Sequence, residues 1–299
     1  MQSDILKQNE HQKEYEQNGY TIFRNVIDSD LIQEVNNHLE FLAKKFPDLR
    51  PEHYHHPLIR DDAFWVRLVT DYRLLNIVSL FLGENIANFT AHYICKPPYN
   101  GQAVLWHQDG AYWNLEPMKA VSLWLAIDHS NTDNGCLRVI PGSHHLPLQE
   151  LKLDDSEPNM LFSGIDYEID TSKAVDIILQ PGDVSVHNPF IIHGSKSNKS
   201  ANRRCGLDMG FIETSTKVGN KDLYMYPILA QGKPIPGINN YRKWPQYDKD
   251  KTIHFAGCEK WNEYILDKNK YFVHNENDED VLKVTERMIN RLKNGTTSL

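Results

Sequence analysis

The 299-residue chain lacks the long apolar runs and the clustered cysteines that mark two large classes of protein. No stretch approaches the roughly 18 consecutive apolar residues of a membrane-spanning helix, so we expect no membrane partner. The N-terminus is polar and has no apolar segment of the kind found in secretory signal peptides. The four cysteines stand far apart without a CxxC pair, which predicts free thiols in a cytoplasmic protein.

Positive charge is also scarce. Lysine and arginine together number 32 against 40 acidic residues, which gives a formal net charge of -8. Nucleic-acid binding depends on clustered lysine and arginine, so we expect no nucleic-acid partner. The hydrophobic fraction of 40% is sufficient for a sizeable core. With membrane and nucleic-acid partners excluded, we expect a globular protein that binds a small molecule. The sequence does not predict its oligomeric state.

Helical patterns dominate residues 1–87. A charged stretch over residues 8–18 predicts a helix that ends before Gly19, and a strand follows at 20–23. Asp28 and the apolar spacing after it predict a second helix. A further helical stretch covers residues 71–82.

From residue 88 onward, short strand-like segments follow one another, separated by proline, glycine and asparagine. This pattern favours a sandwich or barrel, with its core at about residues 88–213. Residues 146–172 are expected to form a long acidic loop, and 214–299 a C-terminal extension that ends in a helix at 279–293. We expect one domain over residues 1–299. The predicted strands are 89–95, 104–106, 120–127, 136–140, 175–179, 183–186 and 204–212.

A possible metal site starts from His107-x-Asp109, since side chains two residues apart on a strand share a face. His193 follows a predicted strand that would return it to this pair. Two histidines and a carboxylate on one face of a metal are the ligands of non-haem Fe(II) oxygenases. The pair alone is weak evidence among 14 histidines, because a loop histidine beside a capping aspartate is common. His187 is an alternative third ligand.

Arg204 strengthens the metal hypothesis. An α-keto diacid on iron has a distal carboxylate, for which a buried arginine is a suitable bidentate partner. Arg204, Gly206 and Asp208 share one face of their predicted strand, and the residues between them are apolar. Arg203 is the alternative if the register differs by one, and a surface salt bridge is the alternative role of Arg204.

Ordered motifs between about residues 90 and 212 resemble the phytanoyl-CoA dioxygenase family of Fe(II)/2-oxoglutarate oxygenases. The resemblance implies a mainly β fold, a double-stranded β-helix (jelly roll) with flanking helices. It also implies Fe(II) as cofactor, with 2-oxoglutarate and dioxygen as co-substrates. The motifs are Lys96-Pro97-Pro98, His107-Gln108-Asp109, Trp124, Asn134-Gly-Cys-Leu137, Pro141-Gly-Ser-His144, Pro181-Gly-Asp183 and His193-Gly-Ser195-x-x-Asn198 with Arg204.

The resemblance assigns roles to these residues. It implies that His107, Asp109 and His193 bind iron and that Arg204 and Ser195 hold the distal carboxylate of 2-oxoglutarate. Trp124 and His92 are expected to line the same pocket. Related halogenases lack the carboxylate ligand, so its presence here favours hydroxylation of a C–H bond, with desaturation or oxidative cyclisation as the other outcomes.

The alternative function is a jelly-roll metal-binding protein, a sensor or scaffold without 2-oxoglutarate turnover. For the enzyme, we expect a free small molecule of specialised metabolism, because no cluster of basic residues suits the phosphates of coenzyme A. Substrate contacts are expected from residues 53–68, 99–115, 146–172 and 215–245. Candidate anion contacts in or near these segments are Arg60, Arg67 and Arg242.

Overall fold

A computed structural model describes residues 2–55, 61–154, 157–166, 168–219, 226–271 and 283. Its helices lie mostly in the N-terminal part. Three of them are capped by aspartates: α2 (Ser29–Lys45), α3 (Ala63–Val69) and α4 (Tyr72–Leu82). The side chains of Asp28, Asp62 and Asp71 accept backbone N–H bonds at the starts of α2, α3 and α4. The helices are α1 (Gln2–Asn18), α2 (Ser29–Lys45), α3 (Ala63–Val69), α4 (Tyr72–Leu82) and α5 (Cys258–Lys268).

Fifteen strands are present in the described residues. The N-terminal ones are β1 (Tyr20–Phe23), β2 (Tyr54–His55), β3 (Ile86–Lys96), β4 (Val104–His107), β5 (Leu115–Glu116), β6 (Ala120–Ala126) and β7 (Leu137–Val139). The later ones are β8 (Leu151–Leu153), β9 (Ser163–Ile165), β10 (Val175–Ile177), β11 (Val184–His187), β12 (His193–Ser195), β13 (Arg204–Glu213), β14 (Lys217–Val218) and β15 (Ile228–Gln231).

Two antiparallel sheets form the body of the molecule. The larger has the order β1-β11-β6-β13-β3-β15, with β2 added beside β3, and the smaller has the order β10-β7-β12-β4. The seven predicted core strands all appear, each within a few residues of its predicted ends. The fold is mainly β with flanking helices, as the sequence predicted.

Strand β13 shows how the sequence positions the site. Cys205, Leu207, Met209 and Phe211 are fully buried in the main hydrophobic cluster, which also contains apolar residues of α2, α3 and α4. Burial of each large apolar side chain contributes about 1.5–3 kcal/mol, so this face holds the sheet against the helices. Because alternate side chains point to opposite faces, Arg204 and Asp208 point into the space between the sheets.

Several expectations need correction or lie outside the described residues. Cys95 and Cys205 are not free thiols, since they face each other on β3 and β13 and form a disulfide. Residues 146–172 are not all loop, because β8 and β9 pair within them. Helices α3 and α5 were not predicted. The predicted helix at 279–293 lies outside the described residues. Among the described helices, none combines the length and apolar character needed to cross a membrane.

Candidate metal and co-substrate site

His107, Asp109 and His193 converge on the smaller sheet. His107 is the last residue of β4, Asp109 begins the short 3-10 turn after it, and His193 is the first residue of β12. Strands β4 and β12 are antiparallel neighbours, with His193 directly opposite His107. All three side chains are buried. The antiparallel pairing is what joins two residues that are far apart in the sequence.

The ligand atoms of the three residues lie within 4.8 Å of one another. Asp109 Oδ1 is 3.4 Å from His107 Nε2 and 3.5 Å from His193 Nε2. In each histidine, Nδ1 is within hydrogen-bond distance of a backbone carbonyl, that of Leu105 at 2.8 Å and that of Ile191 at 3.1 Å. Donation by both Nδ1–H groups leaves a lone pair on each Nε2, which is the tautomer a metal requires.

The second oxygen of Asp109 is occupied by protein groups. Ser122 Oγ donates to Asp109 Oδ2 at 2.5 Å, and His187 Nε2 donates to the same oxygen at 3.1 Å. This leaves Oδ1 as the oxygen that faces the two histidines. His187, the alternative ligand considered from sequence, therefore supports the carboxylate, and it does not belong to the cluster of ligand atoms.

The charges of this cluster suit a cation. Burial opposes ionisation of Asp109, yet the histidines around it hold the pKa of Asp109 well below its usual value. Burial lowers the pKa of His107, and the nearby His193 lowers it further. For His193 burial acts in the same direction, but the Asp109 carboxylate outweighs it and the pKa of His193 is raised. An ionised carboxylate between two imidazoles is a site for a divalent metal.

A second group of polar residues lies at the other end of the same cavity. Arg204 is 1% exposed, and its Nε and Nη2 donate to the carbonyl of Gly135 at 3.0 and 2.8 Å. Arg204 Nη2 also lies 3.2 Å from Ser195 Oγ. Both side chains line the cavity together with the three proposed ligands. A buried guanidinium at this place can bind a carboxylate through charged hydrogen bonds.

Gly135 is required at its position. It has a φ of +77°, and a Cβ there would lie 2.3 Å from the carbonyl oxygen of Lys196. Glycine adopts this left-handed conformation without the cost that a side chain would add. The Asn134-Gly135 motif thus brings a carbonyl close enough to hold the Arg204 guanidinium.

Trp124 and His92 line the cavity from the larger sheet. The Trp124 ring is 5.5 Å from Arg204 Cζ, a distance at which a ring face attracts a cation. A Cβ on Gly206 would lie 2.0 Å from this ring, so glycine makes room for the indole. His92 Nε2 donates to the carbonyl of Glu52 at 2.6 Å, and burial lowers the pKa of His92 to about 3.

Two polar residues near the site, Lys96 and Asp208, were named in the sequence analysis but were given no role in the site. Lys96 is fully buried, and its Nζ donates to Ser195 Oγ at 2.7 Å. Asp208 lines the cavity with Oδ1 buried and unpartnered, and burial together with Asp109 raises the pKa of Asp208 well above its usual value. The signal in the sequence was a charged residue at an inward position of an otherwise apolar strand.

The other residues singled out from sequence lie elsewhere. Arg203 forms a bidentate ion pair with Asp128 and does not reach the cavity lining. Arg67 pairs with Asp71, so it is not a free anion contact. Arg242 similarly pairs with Asp61. Arg60 lies outside the described residues. In the substrate segments, Leu161 and Val104 reach the cavity.

The phytanoyl-CoA dioxygenase family model matches residues 15–206, more than half of the chain. The chain belongs to this family. Bovine peroxisomal phytanoyl-CoA dioxygenase (Bos taurus) is 29% identical over 234 residues, which is 69% of this chain and 68% of that protein. The human enzyme (Homo sapiens) is 29% identical over 228 residues, 68% of this chain and 67% of that protein.

Solved structures of this fold are more distant in sequence. The apo form of the non-haem monooxygenase ThoJ superposes with a TM-score of 0.70 at 18% identity, covering 95% of this chain and 99% of that chain. The epimerase SnoN, in complex with Fe3+, α-ketoglutarate and nogalamycin RO, gives a TM-score of 0.60 at 16% identity, covering 83% and 98%. These likenesses agree with the double-stranded β-helix fold.

The residues of the cavity fit the cofactors of the family. Two imidazoles and one carboxylate are the donor set of non-haem Fe(II). A buried arginine without a carboxylate partner among the described residues fits the dianionic 2-oxoglutarate. The protein is therefore a 2-oxoglutarate-dependent dioxygenase that uses Fe(II), and not a metal-binding scaffold.

Proposed function

We propose that His107, Asp109 and His193 bind Fe(II), and that Arg204 and Ser195 hold the distal carboxylate of 2-oxoglutarate. The observation that carries this proposal is their arrangement in one cavity, with the ionised Asp109 at one end and the buried Arg204 at the other. Trp124 and His92 line the same cavity. A 2-oxoglutarate that chelates the metal through its 2-oxo acid group would reach Arg204 with its distal carboxylate.

The residues of the site would have separate roles. When bound, Fe(II) would activate dioxygen, which is the oxidant, and 2-oxoglutarate would supply two electrons as it is converted to succinate and carbon dioxide. His107 and His193 present Nε2 because their Nδ1–H groups are held by carbonyls. Ser122 and His187 hold Asp109 so that one oxygen faces the metal position. Val104, Leu137 and Leu161 add apolar walls that keep bulk water out.

The reaction we propose is hydroxylation of an unactivated C–H bond in a small molecule of specialised metabolism. The full ligand set, including Asp109, supports hydroxylation, desaturation or ring closure over halogenation. A free small molecule is favoured over a coenzyme A ester because the chain is acidic, with a net charge of -8. The curated relatives are named for phytanoyl-CoA, whereas SnoN is described as an epimerase from nogalamycin biosynthesis. Both substrate classes belong in the test.

The test uses purified protein with Fe(II), 2-oxoglutarate and air. Succinate release is measured against a panel of small metabolites and phytanoyl-CoA. Product mass then identifies the reaction, because hydroxylation adds one oxygen atom, whereas desaturation and ring closure remove two hydrogens. Failure of the anaerobic Fe(II) protein to bind 2-oxoglutarate would contradict the assigned site. Turnover of phytanoyl-CoA alone would contradict the proposed substrate class.

We also propose that the protein is cytoplasmic and has no membrane partner. The curated bovine and human relatives are described as peroxisomal, so a tagged full-length protein should be localised against markers of both compartments. Co-localisation with the peroxisomal marker would replace the cytoplasmic prediction.

A further inference from the structure

Lys96 is a buried lysine at the carboxylate end of the cavity, where Arg204 lies. It is the last residue of β3, it lies directly opposite Arg204 on β13, and its side chain is fully buried. Its Nζ donates to Ser195 Oγ at 2.7 Å and to the carbonyl of Lys196 at 2.6 Å. Among the salt bridges of the described residues, neither Lys96 nor Arg204 has a carboxylate partner, and the nearby Glu52 is bound by Arg50. Burial and the nearby Arg204 lower the pKa of Lys96, and an anion bound beside the two side chains would favour the charged form of Lys96.

The hydrogen bonds of Ser195 indicate what this lysine does. A serine hydroxyl has two lone pairs and one hydrogen to donate, whereas lysine and arginine only donate. Lys96 Nζ and Arg204 Nη2 both approach Ser195 Oγ, at 2.7 and 3.2 Å, and together they fill its two lone pairs. The hydroxyl hydrogen must then be donated to a third group. Ser195 lines the cavity, so that group can be an acceptor bound there.

The end of β3 is fixed in place independently of the lysine side chain. Asn198 Nδ2 donates to the backbone carbonyls of Lys96, Pro97 and Asn202, at 3.3, 3.1 and 2.7 Å. The motif Ser195-x-x-Asn198 therefore ties the β12–β13 connection to β3 through the backbone. The Lys96 side chain is therefore not the only link between β3 and the β12–β13 connection. A role of Lys96 in ligand binding can be tested separately from a structural role.

We propose that Lys96 is a positioning residue for 2-oxoglutarate. Its ammonium orients the Ser195 hydroxyl so that the hydroxyl donates to the distal carboxylate, and it adds a second buried positive charge beside Arg204. This inference rests on the proposed placement of that carboxylate at Arg204 and Ser195. Its specific consequence is that Lys96 acts on ligands with a distal carboxylate and has little effect on 2-oxo acids without one.

The experiment compares two ligands on the full-length protein. Wild type, Lys96→Met and Ser195→Ala are loaded with Fe(II) without oxygen and titrated with 2-oxoglutarate or pyruvate, following the visible charge-transfer band of the 2-oxo acid on iron. Pyruvate chelates through the same atoms but has no distal carboxylate. Lys196→Met is the matched control, because the Lys196 side chain is exposed and only its backbone carbonyl contacts Lys96.

We expect Lys96→Met to weaken 2-oxoglutarate binding by about 10- to 100-fold while pyruvate binding changes less than about twofold, since charged hydrogen bonds are lost only at the distal end. Adding Ser195→Ala to Lys96→Met should cost less than the two single changes combined, because both act on one hydroxyl. Lys96→Gln, which retains a donor without the charge, should be intermediate and also serves if Lys96→Met fails to fold.

Two outcomes would overturn the inference. Equal weakening of 2-oxoglutarate and pyruvate binding would show that Lys96 has only a structural role. Unchanged 2-oxoglutarate binding would show that Lys96 does not contribute to the site. A wild-type protein that gives no band with 2-oxoglutarate would instead contradict the proposed function itself. The Lys196→Met control should match wild type with both ligands.

Discussion

The two ends of the cavity carry side chains of opposite charge. At the metal end, an ionised carboxylate sits among three histidines, all of them on β4, β11, β12 or the turn that follows β4. At the carboxylate end, Lys96 and Arg204 are buried on β3 and β13 without an acidic partner among the described residues. A metal cation would balance the carboxylate at the metal end. The distal carboxylate of 2-oxoglutarate would balance the basic side chains at the other end.

The metal end should be the more sensitive to mutation. His107→Ala or His193→Ala removes one of three proposed ligands, so we expect Fe(II) affinity to fall by more than about 100-fold, beyond the loss typical of a supporting residue. Isothermal titration with Fe(II) under anaerobic conditions measures this. Retention of iron by both variants would show that the metal lies elsewhere.

Arg204→Ala should affect 2-oxoglutarate binding but not Fe(II) binding. Loss of a buried charged partner typically costs 2–5 kcal/mol, so we expect 2-oxoglutarate binding to weaken by about 100-fold while Fe(II) still binds. Arg203→Ala is the matched control, because Arg203 is paired with Asp128 and does not line the cavity. If Arg203→Ala were the variant that lost 2-oxoglutarate, the assignment of the two arginines would be reversed.

A smaller effect is expected from the groups that hold Asp109. Ser122→Ala and His187→Ala each remove one hydrogen bond to Oδ2, which frees the carboxylate to rotate. Changes in such supporting residues typically reduce metal affinity by about 10- to 100-fold, and we expect the lower value for Ser122. Fe(II) titration of the two variants beside His193→Ala gives the ranking. An effect of His187→Ala as large as that of His193→Ala would argue that His187 is itself a ligand.

The smallest effect concerns the buried His53. Burial lowers the pKa of His53 from 6.5 to about 4. Because the unfolded chain then binds more protons than the folded one, stability is lost as the pH falls from about 6.5 toward 4 and is regained on return to neutral pH. We expect His53→Gln to flatten this decline. Thermal unfolding of the metal-free protein across that range measures it, with His145→Gln as an exposed control. Equal slopes in all three proteins would contradict the expectation.

Much of this architecture was accessible from sequence because it depends on local patterns. The Asp28 cap marked the start of α2, and alternation along β13 separated Arg204 from the buried Leu207 face. The His107-x-Asp109 spacing and the distant His193 were also readable, although their roles came from the order of the surrounding motifs. Short helices such as α3 were missed, because seven residues carry little periodic signal.

The sequence by itself determined the strand pattern, the inward and outward faces of β13 and the identity of the residues able to bind a metal and a carboxylate. Only the tertiary structure decided which atoms meet. Pairing of β4 with β12 places His193 opposite His107, and His187 reaches Asp109 from the other sheet. Lys96 reaches Ser195 for the same reason, since side chains from strands distant in sequence become neighbours only when the sheets are assembled.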